Sequence, residues 1–104
     1  MENCELCLRR DVPLTRHHLL PQARHDKPRF LREFGRQEGL NRIAFLCRAC
    51  HSCVHSVLTE KQLEREFNTI EALRNHPDIQ AFALWLSKKP PGFQPLSRRS
   101  KKRV

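Results

Sequence analysis

The sequence predicts a small α+β fold, and three observations carry that prediction. Two C-x-x-C units about 40 residues apart, Cys4-Cys7 and Cys47-Cys50, read as the two halves of one tetrahedral metal site. A β-rich apolar run, Asn41 to Cys47 (N-R-I-A-F-L-C), leads into the second pair, and a partner run lies between the pairs. Helix-start signals then crowd the second half of the chain. The expected order is knuckle, strand, basic loop, strand, knuckle, helix, further helices and tail.

Each element has a local reason. C-E-L-C near the amino terminus is a tight knuckle whose backbone amides can point at sulfur. Val12 to Leu20 interleaves Leu14, His17 and Leu19 with polar positions, which reads as a short strand ending at Pro21. Gln22 to Gly39 is rich in Arg and Lys. Within it Pro28 opens a short helix through Phe30, Leu31 and Phe34 that Gly35 or Gly39 would end. The Asn41–Cys47 strand pairs antiparallel with the first. A helix is expected from about Cys50 to Leu58, on which His51 and His55 share a face. Thr59 with Gln62 forms a capping box for a helix through Phe67, and Asn68 or Thr69 caps the I-E-A-L-R segment. Pro77 opens a last helix carrying Ile79, Phe82, Ala83 and Leu86 at helical spacing, with Trp85 beside them, ended by Lys88 to Gly92. His76, just before it, reads as a capping or surface residue.

Composition bounds what such a fold can be. With 104 residues, 38% hydrophobic content and seven aromatics, the chain makes one domain with a modest core, the kind that a metal staple supports. No apolar segment follows the first methionine and no run approaches a membrane span, so a cytoplasmic protein with reduced cysteines is expected. The net charge of +9 is unevenly spread. Residues 1–87 carry 13 basic and 11 acidic side chains, whereas 88–104 carry seven basic and none acidic. A polyanion is the natural partner of that tail, a solvated tail the bland alternative. A membrane surface fits poorly, because the tail lacks an apolar face.

The cysteines and histidines divide into two sets. Cys4, Cys7, Cys47 and Cys50 suit a structural Zn²⁺ site, because zinc takes four thiolates in a tetrahedron with little strain. Cys50 and Cys53 form an overlapping C-x-x-C, but cysteines three apart within a helix are worse placed than a knuckle pair, so Cys53 is assigned to the core. His17 and His18 lie on the first strand, and His51 and His55 follow the second knuckle at i and i+4. Any one of these histidines alone reads as a surface or capping residue. Four in two clusters beside knuckles point to a second metal.

The run Cys4-Cys7, R-H-H-L-L-P, then L-N-R-I-A-F-L-C-R-A-C-H-S-C-V-H resembles the HNH endonucleases, members of the ββα-metal (His-Me finger) nucleases, over roughly residues 4 to 58. The resemblance implies a ββα-metal core at 4–58 with a helical extension at 59–87, together a nuclease domain at 1–87, and a basic tail at 88–104. It implies His17, His51 and His55 as ligands of a catalytic metal, His18 as general base and Asn41 as the residue that braces the loop and orients that base. Relatives often carry aspartate where this chain has His17. Losing that hard oxygen ligand favours Mn²⁺, with Co²⁺, Ni²⁺ or Mg²⁺ as alternatives. Arg24 is the first candidate for a phosphate contact, and His25 in the same stretch is a further one. Arg16, Lys27, Arg29 and Arg32, together with Arg98, Arg99, Lys101, Lys102 and Arg103, are candidates for nucleic-acid binding.

The expected activity is therefore metal-dependent hydrolysis of duplex DNA by a monomer or weak dimer. One site per chain nicks one strand, with low sequence specificity and no small-molecule cofactor. The alternative is a non-catalytic zinc module that grips nucleic acid, a reading that leaves the histidines without a task.

Overall fold

The computed structural model describes residues 3–93 and 95, and the basic positions Arg98, Arg99, Lys101, Lys102 and Arg103 lie outside the described residues. Within them the chain is α+β. Strand β1 (Leu14–His18) pairs antiparallel with β2 (Ile43–Cys47), with Leu14 opposite Cys47 and His18 opposite Ile43. Helices α1 (Pro28–Glu33) and α2 (Gly35–Asn41) fill the connection between the strands, after a single 3-10 turn at Gln22–Arg24. Helix α3 (Arg48–Val57) follows β2 directly, and α4 (Glu60–Arg65), α5 (Ile70–Asn75) and α6 (Pro77–Ser87) complete the order.

The pleat decides which strand residues meet the helices. Alternation buries His17 and its cross-strand partner Ala44, while Arg16 and its partner Phe45 face solvent. Helix α3 packs on both strands, and α6 packs on α3. The core joins all four knuckle cysteines to Leu46, Val54, Leu63, Leu73, Ile79 and Leu86. The first knuckle also extends the sheet edge: Glu5 donates its amide to the Phe45 carbonyl at 2.9 Å, and its carboxylate accepts from the Phe45 amide at 2.7 Å.

The helix caps follow the sequence rules. Thr59 and Gln62 form the expected capping box of α4, Thr69 caps α5, and His76 Nδ1 accepts from the Asp78 amide at the start of α6.

Other boundaries differ, for identifiable reasons. Gly35 does end α1, with φ of +83°, a left-handed conformation that favours glycine. A second helix then starts at once, so Gly39 stops nothing. It lies buried in α2, where a Cβ would stand 3.0 Å from Phe30 Cζ and 3.1 Å from His25 Nε2. Helix α2 runs through Asn41, shortening the expected second strand by two residues. Its end is held by Arg42, which pairs with Glu38 at 2.8 Å and donates to Asn68 Oδ1 at 3.2 Å. Helix α3 begins at Arg48 rather than Cys50, which makes Cys47 its N-cap.

Candidate metal centres

The two ends of the β1–β2 pair organise two side-chain clusters. At one end lie Cys4, Cys7, Cys47 and Cys50, all buried, with their sulfurs within 4.8 Å of one another. Cys47 sits at the N-cap of α3 and Cys50 in its first turn, where unpaired amides and the helix dipole favour a thiolate. The first knuckle is braced by its own backbone, the Cys7 amide lying 3.5 Å from Cys4 Sγ. A tetrahedron with metal–sulfur bonds of about 2.3 Å has edges of about 3.8 Å. Cys7 Sγ and Cys47 Sγ are 3.8 Å apart. The set fits a structural metal such as zinc. Cys53 stays outside it, packed against the core and with its thiol pushed up to about 11 by burial and by the Asp78 charge.

One further contact shows that negative charge belongs here. Arg9 is buried, and its guanidinium meets Cys47 Sγ at 3.7 Å and the Pro90 carbonyl at 2.8 Å. Burial opposes that charge, yet Cys7 and Cys47 hold it above its ordinary value. A buried cation needs a counter-charge, and the thiolates of a metal-loaded site supply one. Sequence reasoning passed over Arg9 because nothing in its neighbourhood along the chain marks it as buried.

At the other end lie His17, His51 and His55. Their ring centroids are 5.1, 5.2 and 4.9 Å apart pairwise, and one ligand atom from each lies within 4.8 Å of the others. His17 is fully buried, and neither ring nitrogen has a hydrogen-bond partner among the described residues. An imidazole in that state costs stability unless something else engages it, and a cation shared with His51 and His55 would do so. Burial, then the neighbouring His51, His55 and His18, lowers His17 to about 3, and His51 is lowered by burial and by His55 and His18. Both are therefore neutral, the ligating form, at physiological pH. Helical spacing delivers His51 and His55 to one face, and the β pleat delivers His17 to meet them.

His18, next on β1, points the other way and is partly exposed. It is lowered below its ordinary value by burial, then by His25 and Arg16. His25, a further candidate for phosphate contact, packs against its neighbours. Its ring stands edge-on to His18 at 6.0 Å, tilts against Phe30 at 5.0 Å, and donates Nε2–H to the Leu20 carbonyl at 2.6 Å. Thr15 was missed: its hydroxyl lies 2.7 Å from His51 Nδ1 and 2.8 Å from the Leu46 carbonyl.

The structure places two further site candidates. Asn41 is exposed at the end of α2, and among the described residues no hydrogen bond joins it to His18. Arg24 is partly exposed, with its Nε 2.5 Å from Oε1 of the buried Glu64, which Arg65 also meets at 2.9 Å. Arg16, Lys27, Arg29 and Arg32 are exposed, Arg29 lying 3.8 Å from Glu33.

The chain is 36% identical over 90 residues to a protein of Bacillus subtilis (strain 168) described as uncharacterized protein YisB; the match covers 85% of this chain and 76% of that one. No family model matches the chain. No solved structure matches it. Among the described residues no helix is long and apolar enough to cross a membrane.

Proposed function

The chain belongs to the family of Bacillus subtilis YisB, and from its two side-chain clusters we propose that it is a metal-dependent DNA endonuclease of the HNH type. The observation that carries this reading is the adjacency of His17 and His18. One neutral histidine is buried in a three-histidine ligand set, and the next is partly exposed on the opposite strand face. Phosphodiester hydrolysis needs those two capacities side by side.

In this reading Cys4, Cys7, Cys47 and Cys50 hold a structural Zn²⁺, and His17, His51 and His55 hold the working metal, with Mn²⁺ favoured over Co²⁺, Ni²⁺ and Mg²⁺ by an all-nitrogen donor set. A divalent cation bound there supplies charge stabilisation to the departing 3′ oxygen and the phosphoryl oxygens. His18 receives the proton of the attacking water, a task open to it because burial, then His25 and Arg16, lowers it from its ordinary value. Arg16 faces solvent one residue before the histidine pair, and Lys27, Arg29 and Arg32 flank the start of α1, where they would meet the DNA backbone. The basic residues of 88–104 add affinity without sequence information. One site per chain makes a nicking enzyme, active as a monomer or weak dimer on duplex DNA.

The test is supercoiled plasmid incubated with wild type and His18→Ala across a matched Mn²⁺, Co²⁺, Ni²⁺ and Mg²⁺ series. Wild type should give open-circle product with metal, fastest in Mn²⁺, and the variant should lose about 100-fold or more of that rate. Wild type that binds plasmid yet fails to cut it under every metal of the series would instead leave the non-catalytic zinc module standing. A highest rate in Mg²⁺ would overturn the metal assignment alone.

A further inference from the structure

We infer that Thr15 fixes the tautomer of His51, and so decides which ring nitrogen that histidine offers to a cation shared with His17 and His55. The inference rests on the three-histidine cluster being a metal site, and it is independent of whether DNA is the substrate.

Hydrogen-bond polarity alone fixes the proton positions. The Thr15 hydroxyl lies 2.8 Å from the Leu46 carbonyl oxygen, which can only accept, so the one hydroxyl proton points there. Only lone pairs remain on that oxygen for its second partner, His51 Nδ1, at 2.7 Å. The proton in the second contact must therefore sit on Nδ1. His51 is held as the Nδ1–H tautomer, and its Nε2 carries the free lone pair.

The strand pleat explains why Thr15 is available for this. Thr15 and His17 are two apart on β1 and share its inward face, so one strand face presents both a ligand and the group that orients another ligand. Thr15 is also the cross-strand partner of Leu46, which brings its hydroxyl within reach of that carbonyl. Partners of this kind hold ring orientation and raise ligand basicity, and their loss typically weakens metal binding by about 10- to 100-fold. Thr15 is thus a positioning residue, acting on the cation only through His51.

The test uses full-length protein with the cysteine site filled by Zn²⁺ and compares wild type, Thr15→Ser and Thr15→Val. Valine keeps the β-branched shape and removes the hydroxyl; serine keeps the hydroxyl. Long-range 15N–1H correlation spectra read the His51 tautomer before the second metal is added, and competition titration reads affinity for a second equivalent of Zn²⁺. Wild type and Thr15→Ser should show Nδ1–H, whereas Thr15→Val should lose that pattern and bind the second Zn²⁺ at least about 10-fold more weakly.

An Nε2–H His51 in wild type overturns the inference, even if the valine variant fails to fold. Unchanged tautomer and affinity in a folded Thr15→Val overturn it too. A wild type that binds no second Zn²⁺ overturns it as well. Plasmid cleavage separates this from the functional reading: normal second-metal binding and the expected tautomer without cleavage would sink the nuclease and leave Thr15 standing.

Discussion

His17 and His18 are neighbours with the same side chain, and the pleat makes them chemically different. Burial strips His17 of water and partners, whereas His18 keeps a solvent-facing edge beside His25 and Arg16. Because His18 is lowered from its ordinary value, the base should be competent above pH 6.5. Cleavage should then fall only as pH drops below that point and His18 takes up a proton. A pH profile of kcat/KM checks this, with Arg16→Gln moving the acid limb upward because a repelling charge is gone. Cys53 gives a second expectation at this scale. With its thiol near 11, about one molecule in a thousand carries the thiolate at pH 8, so alkylation should run about 100-fold slower than for a thiol of ordinary pKa. Mass spectrometry of iodoacetamide-treated, zinc-loaded protein measures it, and Asp78→Asn should speed the reaction.

The short helices depend on their ends and on single partners more than on length, since six-residue helices have little intrinsic stability. The capping box of α4 satisfies two backbone amides at once, so Thr59→Ala should cost about 1 kcal/mol in urea denaturation. Glu64, in the same helix, ties α4 to the 3-10 turn through Arg24 and stands beside Arg65, with only 1% of its surface exposed. Glu64→Ala leaves Arg24 without its carboxylate, while Arg65 keeps Glu33, and should cost about 2 kcal/mol by the same measurement, short of a fully buried pair because Arg24 keeps contact with water. In α2, Gly39→Ala offers a gain in helix propensity of about 1 kcal/mol. It also drives a methyl group into the Phe30 and His25 rings. The clash should win, lowering the urea midpoint and loosening His25 from the Leu20 carbonyl.

Across the whole molecule the two clusters are mechanically linked, because Cys47 ends β2 and caps the helix that carries His51 and His55. Removing metal from the cysteine site should therefore disturb both centres, while removing it from the histidine site should disturb one. Cys4→Ser is expected to lose bound zinc, to unfold at a much lower temperature and to lose second-metal binding. His51→Ala should keep the zinc and the fold and lose only the second metal. Metal analysis with thermal melts separates the two cases; equal melting of Cys4→Ser and wild type would contradict the coupling. Arg9 extends the linkage to the segment after α6, since it joins Cys47 Sγ to the Pro90 carbonyl.

Features written in local spacing were legible without coordinates. The knuckle pairs Cys4-Cys7 and Cys47-Cys50, the His51-x-x-x-His55 pair and the Thr59-x-x-Gln62 capping box are each written in residues a few positions apart, whereas His17 joined the histidine set through the family resemblance. Tertiary structure decided everything that turns on which distant group a side chain meets. Arg24 pairs with Glu64, 40 residues away, a partner that no local pattern names. Asn41 ends α2 rather than opening the second strand, because the helix runs on to Arg42 and its partners. Thr15 and Arg9 carry no sequence signature, because a hydroxyl or a guanidinium acquires its task only when strand register and helix packing place an imidazole or a sulfur against it.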